Sequence, residues 1–182
     1  MPRAFLALGS NLDPERHIPA ALRLLADRVR LVALSTFYAS PALGRPEQPD
    51  FYNGAAEIAT DLPPRALKFS VLREIESALG RRRSADKYAA REIDLDLVWY
   101  GGLQVNEPDL ILPDPEIAAR PFLAVPLAEL APDLFPPSEG STGFQACAGA
   151  DAGLEACATP GAPLRPLPAF TALLKEELFP DP

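Results

Sequence analysis

Long apolar runs are missing from this chain: nowhere do about 18 or more apolar residues follow one another, which excludes an ordinary membrane-spanning helix. The opening Met1-Pro2-Arg3-Ala4-Phe5-Leu6-Ala7-Leu8-Gly9-Ser10 is too short and too quickly polar for a signal peptide, so a cytoplasmic protein with no membrane partner is expected. Cysteine is nearly missing too. Cys147 and Cys157 are the only two, set in a small-residue stretch without a nearby histidine, and they imply neither a zinc site nor a disulfide framework. The single histidine, His17, falls in an early helix and is read as a surface residue. Positive charge is in deficit, 17 Lys and Arg against 25 Asp and Glu, and a net charge of −8 excludes a general nucleic-acid binder, which needs a broad basic face.

What is present is an ordinary globular load. Of 182 residues 48% are hydrophobic, enough for one sizeable core in one domain. Ala4 to Leu8 is an apolar strand ending at Gly9-Ser10-Asn11. Asp13-Pro14-Glu15 supplies an N-cap, a first-turn proline and an early acid for a helix running to about Asp27. Val29 to Ala39 is β-branched and aromatic and reads as a second strand, followed by the proline-rich loop Ser40 to Asp50. Phe51 to Thr60 reads as a third strand. Pro63-Pro64 opens a second helix with Leu67, Val71, Leu72, Ile75 and Leu79 at helical spacing, stopped by Gly80. Ile93 to Tyr100 is a fourth strand.

Strand, helix, strand, strand, helix, strand is the pattern of an α+β, ferredoxin-like βαββαβ sandwich, an antiparallel sheet with helices on one face. Beyond Leu112, short helices are expected near Glu116 to Ala119 and Leu127 to Leu130, and a longer amphipathic one near Ala169 to Phe179. Pro136 to Pro163, rich in Gly, Ala, Ser and Pro, reads as a loop. The expected organisation is a core of residues 1–135, with 136–182 forming a loop and a C-terminal helix packed on the same domain.

The chemistry concentrates around the fourth strand. Arg81, Arg82, Arg83, Lys87 and Arg91 form a local basic patch in an acidic chain. Asp94 and Asp96 alternate along a strand, so they project from one face with α-carbons roughly 6.5 to 7 Å apart. Magnesium prefers one or two carboxylates plus water and phosphate oxygens, and arginines clamp phosphate bidentately. Together they are the equipment of phosphoryl transfer, which depends mostly on positioning and charge stabilisation.

Lys87-Tyr88-Ala89-Ala90-Arg91-Glu92-Ile93-Asp94-Leu95-Asp96-Leu97-Val98 resembles the signature of the 6-hydroxymethyl-7,8-dihydropterin pyrophosphokinase family. The resemblance extends to Leu8-Gly9-Ser10-Asn11-Leu12, Phe37-Tyr38, Ser40-Pro41-Ala42-Leu43-Gly44, Gln48-Pro49-Asp50-Phe51-Tyr52-Asn53 and Gly80-Arg81, covering roughly residues 4 to 130. It implies transfer of the β,γ-diphosphate of ATP to the pterin hydroxymethyl oxygen, in a monomer that takes ATP and the pterin as small-molecule partners. Asp94 and Asp96 would bind two magnesium ions, and together with Arg81 and Arg91 they would act as catalytic residues. Glu76, Arg83, Tyr88 and Arg120 would contact ATP. Ser40, Leu43, Phe51, Asn53 and Phe122 would hold the pterin, its ring flat between the two phenylalanines. The loops of residues 40 to 50 and 81 to 91 would close over the site.

One departure stands out. Most relatives read Leu-Pro-His-Pro after the fourth strand, where this chain has Leu112-Pro113-Asp114-Pro115. An aspartate beside a triphosphate adds repulsion unless it faces away or holds a cation, so weakened ATP binding or turnover is expected. Two other readings fit less of the chain. A different phosphoryl or nucleotidyl transferase would leave Phe51 and Phe122 without a role. A ferredoxin-like pterin- or nucleotide-binding module with weak or no catalysis is the other.

Overall fold

A computed structural model describes residues 1–42, 44–82, 86, 89–136 and 164–180. The apolar start forms β1 (Arg3–Ser10), whose side chains from Ala4 onward are buried, and Pro14 begins α1 (Pro14–Ala26). Asp13 sits at the expected cap position but in the left-handed region (φ 46°) without a side-chain cap bond. The backbone amides of Arg16 and His17 bond to its carbonyl instead, at 2.9 and 3.0 Å.

The expected second strand divides into β2 (Arg30–Leu34) and β3 (Tyr38–Ser40), both antiparallel to β4 (Phe51–Ala59). Leu34 lies opposite Ala56 and Tyr38 opposite Asn53, so three residues of one strand face two of the other. The extra residue makes a bulge, and the polar groups it leaves off the ladder find partners elsewhere. Ser35 bonds Ala55 through both backbone and hydroxyl, Glu129 accepts from the Thr36 amide at 2.7 Å, and the Phe37 amide donates to Thr171 Oγ1 at 2.9 Å.

α2 (Pro64–Ala66), a π-helical stretch (Leu67–Leu72) and α3 (Arg73–Ala78) follow without a break. Gly80, at φ 93°, ends the rod: its amide bonds Ser77 O and the Arg81 amide bonds Glu76 O, a 6→1 and 5→2 pair that only a left-handed residue permits easily. β5 (Asp94–Tyr100), the hairpin of β6 (Val105–Glu107) and β7 (Leu110–Leu112), α4 (Pro121–Leu130), the short β8 (Arg165–Pro166) and α5 (Pro168–Leu178) complete the order. Residues 116 to 119 form turns, not the expected helix, and the helix expected at 127 to 130 is the end of α4.

The main sheet runs β5-β1-β4-β3-β8, with β2 also on β4, and its pairings are antiparallel, in agreement with the α+β ferredoxin-like expectation. Helices cover both faces, not one. Leu6, Leu8, Ala56, Ile58, Leu95 and Leu97 meet Leu22, Leu25, Leu72, Ile75 and Leu174 in the larger core. On the opposite face Phe5, Ala7, Ala55 and Val98 meet Leu127, Ala131 and Phe135, so α4 belongs to the second layer. That smaller core covers only part of its face, and the uncovered part holds the site.

Candidate active site

Strand register assembles the cleft floor. Gly9 lies between Asp94 on β5 and Asn53 on β4, and Ala7 lies between Asp96 and Ala55. Residues paired across a sheet share a face, so both aspartates and Asn53 open to the side that α4 leaves uncovered. The next pair along β4 and β3, Phe51 and Ser40, extends the same row. The resulting cleft encloses about 930 Å³ and is also lined by Arg91, Asp114, Glu116, Arg120, Phe122 and Leu164. That volume lies within the range of small-molecule sites.

At one end, two guanidinium groups converge on Asp94. Arg81 Nη1 donates to Asp94 Oδ1 and to Glu76 Oε1, and Arg91 Nη1 donates to Asp94 Oδ2. Glu76, 2% exposed, also accepts from the Leu95 amide at 2.9 Å, which satisfies the outer edge of β5. The Gly80 turn therefore does more than end a helix: it brings Arg81 over the buried carboxylate and beside the strand end.

Asp96 is differently placed, with solvent reaching it from the cleft. Enclosure by the surrounding walls and, next, the negative charge of Asp94 push its carboxyl from 3.8 up to about 6. Glu76 adds to the rise, and Lys68 and Arg81 oppose it. Among the described residues no three His, Cys, Asp or Glu side chains form a ready-made metal cage. Two hard carboxylates on one face, open to a cleft flanked by arginines, fit a magnesium ion that arrives with nucleotide phosphates.

At the other end, Asn53 Nδ2 donates to Ser40 Oγ at 2.9 Å, and both residues are buried. Phe51 begins β4, Phe122 lies in the first turn of α4, and both line the cleft. Arg120 Nη2 donates to Glu116 Oε1 at 2.5 Å while its guanidinium carbon lies 5.6 Å from the Phe122 ring centre. Asp114 lines the wall but is partly turned into its own backbone, its Oδ1 accepting the Glu116 amide at 2.8 Å.

The cleft thus brings together Arg91, Asp94, Asp96, Arg120, Ser40, Phe51, Asn53 and Phe122, with Arg81 and Glu76 directly behind Asp94. Leu43, Arg83 and Tyr88, with Lys87, lie outside the described residues, as does 137–163. Two residues at the site were given no role there by the sequence, although Asn11 lies in a segment that carries the family resemblance. Lys68 acts on Asp96 from the π-helical stretch, and nothing in its surroundings marks it out. Asn11, 1% exposed, bonds to both loops bordering the cleft, and a polar residue at the end of an apolar strand was the available signal. His17, expected at the surface, is half-buried, with Nδ1 2.6 Å from the Leu12 carbonyl.

Comparison with known proteins identifies the family. Residues 5–132 match the 7,8-dihydro-6-hydroxymethylpterin-pyrophosphokinase family. A Methylorubrum extorquens protein named 2-amino-4-hydroxy-6-hydroxymethyldihydropteridine pyrophosphokinase is 42% identical over 137 residues, 74% of this chain and 85% of that relative. Proteins of the same name from Pseudomonas aeruginosa and Haemophilus influenzae are 42% and 38% identical, over 72% and 76% of this chain and 82% and 87% of their own lengths. With the match spanning both arms of the cleft and the sheet beneath them, the chain belongs to the 7,8-dihydro-6-hydroxymethylpterin-pyrophosphokinase family.

Proposed function

We infer that this chain transfers the diphosphate of ATP to the hydroxymethyl oxygen of 6-hydroxymethyl-7,8-dihydropterin, releasing AMP and supplying folate biosynthesis. The observation that carries the reading is the Asp94, Asp96, Arg81 and Arg91 cluster at one end of a cleft whose other end offers Phe51, Phe122 and Asn53.

In the proposed roles, Asp94 and Asp96 would hold two magnesium ions that arrive with ATP. When bound, such ions screen phosphate charge and lower the proton affinity of the acceptor alcohol. Arg81 and Arg91, which neutralise Asp94 in the free protein, turn to the phosphate oxygens and offset the charge developing there. Arg120 leaves Glu116 for the same polyanion, and Arg83 and Tyr88 add contacts to ATP. Glu76 anchors Arg81 and the edge of β5 and thereby orients the nucleotide end. Phe51 and Phe122 take the pterin between them, with Asn53, Ser40 and the backbone at Leu43 reading its polar edge. Holding the alcohol oxygen in line with the β-phosphorus supplies much of the acceleration. We place the reaction in the cytoplasm and assign it to a monomer.

The test is chromatography of adenine nucleotides after incubation with ATP, magnesium and the pterin. AMP should accumulate with wild-type protein. It should fall by at least about a hundredfold in kcat for Asp94→Asn and Arg91→Ala, the scale seen when one charge-stabilising group is lost. Undiminished AMP formation by both variants would remove the proposed roles.

A further inference from the structure

We propose that Asn11 is a positioning residue for this reaction, its carboxamide tying the loop before Phe51 to the segment that carries Arg91 so that the two ends of the cleft assemble together. The inference rests on the proposed division of the cleft into a pterin end and a nucleotide end.

Asn11 is 1% exposed and uses both sides of its amide. Nδ2 donates to Gln48 Oε1 at 3.1 Å and to the Pro49 carbonyl at 3.3 Å, and Oδ1 accepts the Arg91 amide at 2.8 Å. The backbone amides of Asn11 and Leu12 both donate to the Arg91 carbonyl, at 3.2 and 3.3 Å, and Ser10 Oγ donates to the Glu92 carbonyl at 2.6 Å. The turn after β1 is thus bonded to the backbone of Arg91, whose guanidinium reaches Asp94. On the other side, Gln48 and Pro49 stand just before Phe51 and Asn53.

The residue type follows from this geometry. A short side chain must present donors to one loop and an acceptor to the other. Aspartate keeps the acceptor and loses the donors, and glutamine is one methylene too long. A second tie, Arg45 Nη2 to Asp86 Oδ2 at 2.9 Å, joins the same loops at the surface. Its partners are 44% and 45% exposed, so salt screens it, whereas Asn11 is enclosed. Linked loops make the two binding events interdependent, and that coupling is reciprocal.

The experiment measures pterin affinity by calorimetry, with and without magnesium and a non-hydrolysable ATP analogue. It compares wild type, Asn11→Asp and Gln48→Leu, with melting temperatures alongside. In wild type the analogue should tighten pterin binding by on the order of tenfold, a middling coupling. In each variant the gain should shrink to about twofold, with smaller changes in the affinity for either ligand alone. Equal coupling in wild type and both variants overturns the proposal, as does a wild type whose pterin affinity ignores the analogue. Should Asn11→Asp fail to fold, Gln48→Leu decides. AMP formation by wild type together with unaltered coupling in the variants would sink the role of Asn11 and leave the reaction standing.

Discussion

At the scale of single residues, the site is governed by how its charges are shared. Asp94 is held by two arginines, while Asp96 carries the burden of being a second carboxylate nearby. An acid whose pKa is raised on folding holds its proton more tightly folded than unfolded, so its contribution to stability falls as pH climbs from 3.8 to about 6. Asp96→Asn should therefore stabilise the cation-free protein at pH 7 and leave it nearly unchanged at pH 4. The expected gain is on the order of 1 kcal/mol, reduced because solvent on its open side screens the repulsion. Urea titrations at the two pH values measure it, and a variant no more stable at pH 7 would contradict the placement. Asp114 offers a separate test. Its Oδ1 is engaged by the Glu116 amide, yet its charge still faces the cleft where the resemblance leads one to expect histidine. Asp114→Asn should lower KM for ATP about threefold, the worth of one partly screened repulsion, with kcat little changed. A raised KM would show that the carboxylate helps the nucleotide to bind.

At the scale of elements, legibility tracked periodicity. The alternation of Asp94 and Asp96 placed them on one face correctly, and the helical spacing from Leu67 to Leu79 predicted the buried positions Leu67, Val71, Leu72 and Ile75. It could not reveal the π-helical register of Leu67–Leu72, which the same apolar spacing tolerates. Val29 to Ala39 reads as one strand because its composition is uniform, but the break at Ser35 to Phe37 is decided by partners distant in sequence, Ala55, Glu129 and Thr171. Gly54 shows how tightly that bulge is packed. A Cβ there would lie 2.7 Å from two atoms of the fully buried Phe37 ring. Gly54→Ala should cost about 2 to 3 kcal/mol in chemical denaturation, as overpacking of a filled core does. A loss under about half a kcal/mol would mean that the ring has room to move.

For the whole molecule, the site exists because α4 covers only part of one sheet face. That arrangement was not legible in the sequence, since Pro121 to Leu130 is apolar enough to pack on either layer. The family match ends at residue 132, before α5, yet α5 packs into the larger core and the exposed β8 extends the main sheet beside β3. The Leu167 amide bonds the Phe37 carbonyl at 2.8 Å, Phe170 packs edge-on against Phe37 and Tyr52, and Leu174 is 2% exposed. Because β3 lies between β4 and β8 and carries Ser40, loss of this packing should reach the pterin end. Leu174→Ala is expected to cost about 2 to 4 kcal/mol, and pterin affinity should fall before ATP affinity as temperature rises. Parallel loss of both would argue that α5 stabilises the fold without favouring either end.

In the proposed reaction this cleft passes a diphosphate, intact, from ATP to an alcohol. The direct measurement is a phosphorus NMR time course of the protein with ATP, magnesium and 6-hydroxymethyl-7,8-dihydropterin. AMP and a two-phosphorus ester of the pterin should rise in equal amounts as ATP declines. ADP with a single-phosphorus ester, or ATP left unchanged while the pterin binds, would contradict it.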